Sequence, residues 1–309
     1  MEMALTLAIT GGTGFVGGHS IAEALRRGHK VRALARRPQP ARPGVEWVAG
    51  DLAHATALET LVAGADVVVH IAGVTNAPNR AGFEAGNILG TAYVRRAAGS
   101  RPLVHVSSLS AREPQLSTYG WSKLVGEQIA RGSAGAVAVV RPPAVYGPGD
   151  REFLELLKTA RTGLVPFPKH SRAAMLFGPD LAAALVALAE DLAGPARAAG
   201  QVYEIDDGAG GYTPAQVAAA ISGALGRPAR ALEVGPSLLR LAATADGAFA
   251  RLKGALPRLT KDRAAYMAHA DWSADSAPLL ALGIWRPRTL LPEGMAATAA
   301  AYRAEGLLP

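Results

Sequence analysis

The run Thr10-Gly11-Gly12-Thr13-Gly14-Phe15-Val16-Gly17 constrains this chain more than any other stretch. It follows a short strand-like segment, Leu5–Thr10, and opens an amphipathic helical one with Val16, Ile21 and Leu25 among its apolar residues. The glycines remove a Cβ at three different places. Gly11 sits at the turn, Gly14 where the backbone approaches a phosphate most closely, and Gly17 where the helix meets the sheet. Backbone N–H groups and the helix N-terminus then face an anion. Glycine-rich turns are common. Its position between a strand and a helix, at the head of a series of such units, is what reads this one as a pyrophosphate cradle.

The series continues. Strand candidates are Leu5–Thr10, Lys30–Ala35, Val45–Ala49, Val67–Ile71, Leu103–Ser107 and Val137–Arg141, alternating with helical segments at Val16–Arg27, Ala55–Leu61, Gly86–Ala98 and Tyr119–Arg131. Unbroken apolar strands such as Val67-Val68-Val69 are what a parallel sheet covered on both faces requires. The expected fold is therefore α/β, a doubly wound parallel sheet. Beyond Gly147-Pro148-Gly149-Asp150 the pattern loosens into helices at Phe153–Ala160 and Asp180–Asp191, a late strand at Gln201–Ile205, and then helices broken by Pro and Gly. We expect a dinucleotide-binding domain over residues 1–207, with an excursion at about 151–180. A smaller, mainly helical C-terminal substrate lobe is expected over 208–309.

Composition narrows the function classes. The chain has 309 residues, enough to bury roughly 75% of its unfolded surface. It has no cysteine, which excludes disulfides, thiolate metal sites and cysteine nucleophiles. The formal charge of +7 comes from scattered basic residues with no run of five, a solvated surface rather than a nucleic-acid face. The seven histidines are spread singly, and His70 and His105 in strand runs read as satisfied buried histidines, so no metal site is expected. Asp206-Asp207 before Gly208 reads as a turn, and Trp272 and Trp285 as core. There is no signal-like start and no stretch of eighteen apolar residues, so the expectation is a cytoplasmic protein without a membrane partner.

The end of the second strand bears on the cofactor. An NAD site usually offers a carboxylate there for the ribose 2′-OH. This chain has Ala35 followed by Arg36 and Arg37, a small neutral residue and two guanidiniums that suit a 2′-phosphate. NADP is the expectation, with NAD as the alternative. Asp51 and Leu52, after the third strand, are expected against the adenine.

Tyr119 and Lys123 are four apart and share a face if their segment is helical. A free tyrosine, with a pKa of about 10, is a poor base; a nearby ammonium and the positive nicotinamide both favour its phenolate. Ser108 ends the run Val104-His105-Val106-Ser107-Ser108 at the carboxyl end of a strand, where open α/β sheets hold ligands. Its hydroxyl can bond the substrate oxygen while hydride moves to or from the nicotinamide carbon. Ser108, Tyr119 and Lys123 are the expected catalytic set.

These residues together resemble the extended short-chain dehydrogenases/reductases, the group of NAD(P)-dependent epimerases, dehydratases and 3β-hydroxysteroid-dehydrogenase-like reductases with a Rossmann-type fold. The likeness runs nearly end to end. It includes His70-Ile71-Ala72-Gly73, Asn87-Ile88-Leu89-Gly90-Thr91, Arg141-Pro142-Pro143-Ala144-Val145-Tyr146-Gly147, Asp180 opening a helix, and Leu282-Gly283-Ile284-Trp285-Arg286-Pro287. The resemblance implies that Tyr119 is the acid/base and that Lys123 also holds the nicotinamide ribose. It further implies that Pro142, Ala144 and Val145 line the nicotinamide, that Ile71, Ala72, Gly73, Val106 and Ser107 lie beside the cofactor, and that two copies pair through the helical segments ending at Ala98 and Arg131.

Two departures bear on substrate. Only eleven positions separate Ser108 from Tyr119, a shorter loop than in nucleotide-sugar epimerases, and Ala144 stands where those enzymes tend to carry Asn. Both point to the reductase branch. The leading expectation is an NADP(H)-dependent oxidoreductase acting on a small or medium, fairly apolar carbonyl or alcohol, which the apolar tract Leu238–Leu256 motivates. The alternatives are a nucleotide-sugar epimerase or dehydratase with tightly held NAD(P), and a non-catalytic dinucleotide-binding assembly protein.

Overall fold

A computed structural model describes residues 4–254, 257 and 259–309. Strands β1 (Thr6–Thr10), β2 (Lys30–Ala35), β3 (Val45–Ala49), β4 (Val67–His70), β5 (Leu103–Val106) and β6 (Val137–Arg141) fall within a residue or two of the expected segments. They alternate with helices α1 (Phe15–Arg26), α2 (Ala55–Val62), α3 (Arg80–Phe83), α4 (Gly90–Ala98) and α5 (Thr118–Arg131). Between α3 and α4 the helix widens into a π-helical turn, Glu84–Leu89. Such turns are frequent at functional sites.

Further along come β7 (Ala144–Tyr146), α6 (Arg151–Ala160), β8 (Leu164–Pro168), β9 (Arg172–Ala173), β10 (Met175–Phe177), α7 (Gly178–Ala193) and β11 (Val202–Glu204). The C-terminal part adds α8 (Pro214–Leu225), β12 (Arg230–Val234), α9 (Pro236–Leu252), α10 (Lys261–Met267), β13 (Asp271–Trp272), α11 (Ala277–Ala281) and α12 (Leu291–Ala304).

The main sheet is parallel throughout, in the order β11-β6-β5-β4-β1-β2-β3. Its central strands are largely apolar because they supply two cores. Leu7, Ile9, Val67, Val69, Val104 and Val106 face one side, where they pack with α7 residues such as Leu181 and Leu185. Ala8, Val68, Leu103 and Val139 face the other, against Leu58 and Leu61 of α2, Val94 of α4 and Ala130 of α5. Each fully buried Leu or Val contributes roughly 1.5–3 kcal/mol over its exposed state. The strand order reverses between β1 and β4, and there the carboxyl edge opens a crevice.

A second core joins Tyr146, Leu157, Val165, Met175 and Phe177 to Ile221 of α8 and to Leu291, Met295 and Tyr302 of α12. It is thus built from the 151–180 excursion together with the C-terminal helices. Trp285 is buried in the first core instead and donates its indole N–H to the Asp180 carbonyl at 3.0 Å. A small satellite cluster, Val234, Leu239, Ala243 and Ala264, packs α9 onto α10. The expected tract Leu238–Leu256 coincides with α9, and Leu256 itself lies outside the described residues.

Candidate active site

The glycine turn caps the carboxyl end of β1. Gly14 is the N-cap of α1, with no side chain satisfying the first N–H groups and no acidic residue in the first turn. Those donors and the dipole remain available to an anion. Gly11 has φ +76°, and a Cβ on it would lie 2.7 Å from the Ala72 nitrogen. A Cβ on Gly17 would sit 2.0 Å from the Gly11 carbonyl oxygen, so α1 can approach the turn only with glycine there. Thr13 is exposed above the turn. The ring of Phe15 instead packs toward the 147–149 loop and Gly178, whose Cβ would come within 2.7 Å of it. The uncapped N-terminus and the close-packed glycines together fit a dinucleotide pyrophosphate.

The other expected cofactor residues line the same edge. Ile71, Ala72 and Gly73 follow β4, Ser107 follows β5, and Pro142, Ala144 and Val145 follow β6. Arg36 and Arg37 stand exposed at the end of β2, and neither guanidinium is engaged by a group among the described residues. Asp51 follows β3. Its Oδ1 accepts from the Ala53 backbone at 2.8 Å and pairs with the His54 ring at 2.8 Å, and these bonds hold its pKa below the ordinary carboxylate value. The Ser107 hydroxyl donates to Glu127 at 2.5 Å, and its backbone N–H donates to the Val140 carbonyl at 2.7 Å.

Ser108 and Tyr119 meet beyond β5, and Lys123 lies one turn further along α5. Ser108 caps a 3₁₀ turn, Leu109–Arg112; a second, Pro114–Leu116, completes the short connection to α5. The Ser117 hydroxyl accepts from the Gly120 N–H at 2.9 Å and starts α5, which fixes Tyr119 in its first turn and Lys123 one turn on. Tyr119 and Ser108 are hydrogen-bonded through their side chains. Burial pushes the Tyr119 phenol up to about 12, and the Ser108 bond only partly offsets it. Lys123 is buried and donates to the Val106 carbonyl at 2.7 Å. Burial lowers its pKa to about 8 against the opposing pull of Glu127. The protein's own groups thus hold the Tyr119 phenol above its ordinary value, because burial outweighs the Ser108 bond.

Two polar networks hold this arrangement, and sequence reasoning singled out neither. In the first, Asn87 of the π-helical turn clamps Val74, accepting its N–H at 2.7 Å and donating to its carbonyl at 2.9 Å. The same amide donates to Ser122 at 2.9 Å, and Ser122 in turn donates to the Tyr119 carbonyl at 2.8 Å. Thr91 donates to the Asn87 carbonyl at 2.7 Å, so His70 Nε2, 3.1 Å away, must carry the proton toward Thr91. Its Nδ1 then accepts from Thr10 at 2.7 Å. Burial keeps His70 neutral, with a pKa lowered to about 3. In the second network Glu127 receives a two-pronged bond from Arg141 at 2.8 and 2.7 Å, tying α5 to β6.

His105 is the exception. It is buried beside His70 with neither ring nitrogen bonded, although a satisfied histidine was expected. Asp206 and Asp207 form the expected turn, accepting from Gly208, Ala209 and Gly210. Among the described residues no cluster of potential metal ligands occurs.

A cleft of about 200 Å³ opens beside Tyr119, walled by Thr75–Arg80 and Phe83 on one side and by Asp262, Arg263 and Tyr266 of α10 on the other. The Asp262 carboxylate accepts the Thr118 N–H at 2.6 Å and Asn76 donates to the Pro257 carbonyl at 3.3 Å, clasping the C-terminal segment over the start of α5. Arg263 pairs with Glu152 of α6. No local motif marks these residues; only the fold brings them to Tyr119.

A parallel sheet with this strand order, a glycine-lined pyrophosphate turn and a Ser–Tyr–Lys cluster at the switch point define a nicotinamide-dependent oxidoreductase of the extended short-chain dehydrogenase/reductase class. Known proteins agree. The chain belongs to the NAD-dependent epimerase/dehydratase family, whose profile matches residues 7–205. Ceramide reductase of Caulobacter vibrioides is 37% identical over 98% of this chain and 96% of its own length. A farnesylated dihydroquinoline-oxide ketoreductase of Stigmatella aurantiaca is 32% identical over 50% of this chain and 54% of its own. Among solved structures, UDP-glucuronic acid 4-epimerase from Bacillus cereus, in complex with UDP-glucuronic acid and NAD, superposes with a TM-score of 0.75. It is 18% identical, over 97% of this chain and all of that one, a likeness of fold.

Proposed function

We propose that this protein reduces the carbonyl group of a long-chain, lipid-like ketone with NADPH, using Tyr119 as the proton donor. One observation carries the substrate class: the similarity to ceramide reductase spans both chains almost completely. The chemistry rests on the Ser108–Tyr119 pair, which meets the cleft at the carboxyl edge of the sheet. Exposed, unpaired Arg36 and Arg37 support a 2′-phosphate and hence NADP. The cores support a division near residue 207, with residues 151–180 contributing to the C-terminal lobe.

NADPH supplies the hydride for the carbonyl carbon when bound. Ser108 Oγ bonds the carbonyl oxygen and Tyr119 Oη delivers the proton to it, leaving a phenolate. A phenol held near 12 keeps its proton until the oxygen becomes basic, which suits the reductive direction. Lys123 stabilises the phenolate by turning from the Val106 carbonyl toward it. Asn87 and Ser122 hold the first turn of α5 while this happens.

Initial rates of NADPH oxidation on addition of a long-chain N-acyl amino ketone test the reading, with the alcohol identified by mass spectrometry. One alcohol per NADPH consumed is the expected result. Redox-neutral turnover of a UDP-sugar would overturn it in favour of an epimerase. That second reading draws on the family profile and the shared fold, and the short 108–119 connection and Ala144 count against it.

A further inference from the structure

We propose that α9 docks this protein on an anionic lipid surface, placing the cleft mouth at the membrane–water interface. The proposal deepens the lipid-ketone reading above, which it takes as its reason for needing a membrane. No helix among the described residues is long and apolar enough to cross a bilayer, so the contact is one of surface, and it revises the expectation of no membrane partner.

The observation is an apolar face turned outward. Leu239, Ala243 and Ala250 are buried beneath α9. On its other side Leu238, Leu241, Phe249 and Leu252 are 57, 65, 56 and 87% exposed, with Ala242, Ala245 and Ala248 exposed between them. At 100° per residue these seven positions fall in one arc of about 120°, pointing away from the buried face. A helix this apolar on its solvent side has no reason in the fold of a single copy.

Charge selects the occupant. Exposed Arg240 lies on one flank of the arc and Lys253 on the other, with the Lys253 ammonium 4.4 Å from the centre of the Phe249 ring. The one acidic residue of the helix, Asp246, is turned inward to accept the Leu259 N–H at 2.8 Å. Leu and Phe on one face, cations at its borders and no free carboxylate are the features of a helix lying in a lipid headgroup layer. The net charge of +7 adds attraction toward anionic lipid.

Position supplies the use. The helix leads through Pro257 and Thr260 directly into α10, whose Asp262, Arg263 and Tyr266 wall the cleft. The inner face of α9 packs on Ala264 of that same helix. The docking face and the cleft wall thus belong to two helices packed on each other.

The test is co-sedimentation of the full chain with vesicles of phosphatidylcholine alone and of phosphatidylcholine mixed with phosphatidylglycerol. Wild type should pellet with the mixed vesicles, less so as salt is raised, and far less with phosphatidylcholine alone. Leu241→Glu/Phe249→Glu/Leu252→Glu should weaken that binding about tenfold or more, while circular dichroism and NADPH affinity stay as in wild type. Wild type remaining in the supernatant with both vesicles would overturn the proposal. So would triple-variant binding equal to wild type, or a wild-type dimer in sedimentation velocity that these substitutions dissociate, which would assign the face to a second copy. Vesicle binding needs no turnover, so a failure here is separable from a failure of the ketone-reductase reading.

Discussion

The two walls of the crevice are made by different means. At the cofactor end, eight consecutive residues, Thr10 to Gly17, do most of the work through backbone alone, and their spacing is dictated by contacts as close as the one Gly17 makes with Gly11. At the substrate end, Thr75–Arg80 meets α10 across some 180 residues of chain, held by the Thr118–Asp262 and Asn76–Pro257 bonds. The first wall admits little variation and binds something common to many enzymes. The second can change residue by residue without disturbing the sheet, which is how one fold serves different substrates.

The sharpest way to break this contrast is at Tyr119, where the walls meet. Tyr119→Phe removes one oxygen and leaves the helix intact, so kcat/KM for ketone reduction should fall by about 10²–10⁴-fold with NADPH affinity unchanged. Retained turnover would mean that the proton comes from elsewhere and that the assembly-protein alternative has to be reconsidered. At the cofactor wall, Gly17→Ala forces a Cβ against the Gly11 oxygen and should cost about 1–3 kcal/mol of stability, with loss of dinucleotide binding. Thermal melts with and without NADPH check both parts. An unchanged melting temperature and affinity would show that the turn tolerates what its packing forbids.

The same contrast explains what could be read in advance. Strands β1, β4, β5 and β6 were legible from apolar residues on both faces, β2 and β3 from apolar residues alternating with Lys30, Arg32 and Glu46, and the glycine turn because its requirement is local. The placement of Tyr119 and Lys123 on successive turns of one helix was legible from their spacing of four. The direction of Lys123 was not: it depends on the Val106 carbonyl and on Gly73, where a Cβ would lie 3.4 Å from the Lys123 nitrogen. Asn87 stood in the quoted stretch from Asn87 to Thr91, yet its clamp on Val74 and Ser122 needs the π-helical turn to aim it. The cleft wall from α10 carried no local signal, because it is defined only by what it faces.

Lys123 sharpens the comparison through pH. Burial holds its pKa at about 8 against an ordinary value of 10.5, so between those values the unfolded chain carries a proton that the folded chain lacks. Stability must then rise with pH across that window. The contribution is full above 10.5 and is lost as pH falls to about 8. Lys123→Met should flatten this component, leaving a difference on the order of 3 kcal/mol between the two proteins' pH dependences, measured by urea unfolding on either side of the window. Parallel curves would mean that the ammonium is solvated or already paired in the fold.

The smallest expected effect lies at the rim of the cofactor wall. Arg36 and Arg37 are exposed and unpaired, so replacing one should leave stability and NADH affinity untouched. Only a 2′-phosphate gives the Arg36 guanidinium a charge-assisted partner, and losing that bond from a solvated site should weaken NADPH about tenfold. Arg36→Ala, titrated with both dinucleotides, therefore separates the two cofactors by subtraction. Equal losses for NADPH and NADH would assign Arg36 to a part that both share and remove the support for NADP. A loss confined to NADPH would extend the rigid, sequence-legible wall by one side chain beyond its glycines, since Ala35 leaves room for a phosphate where a carboxylate would repel it.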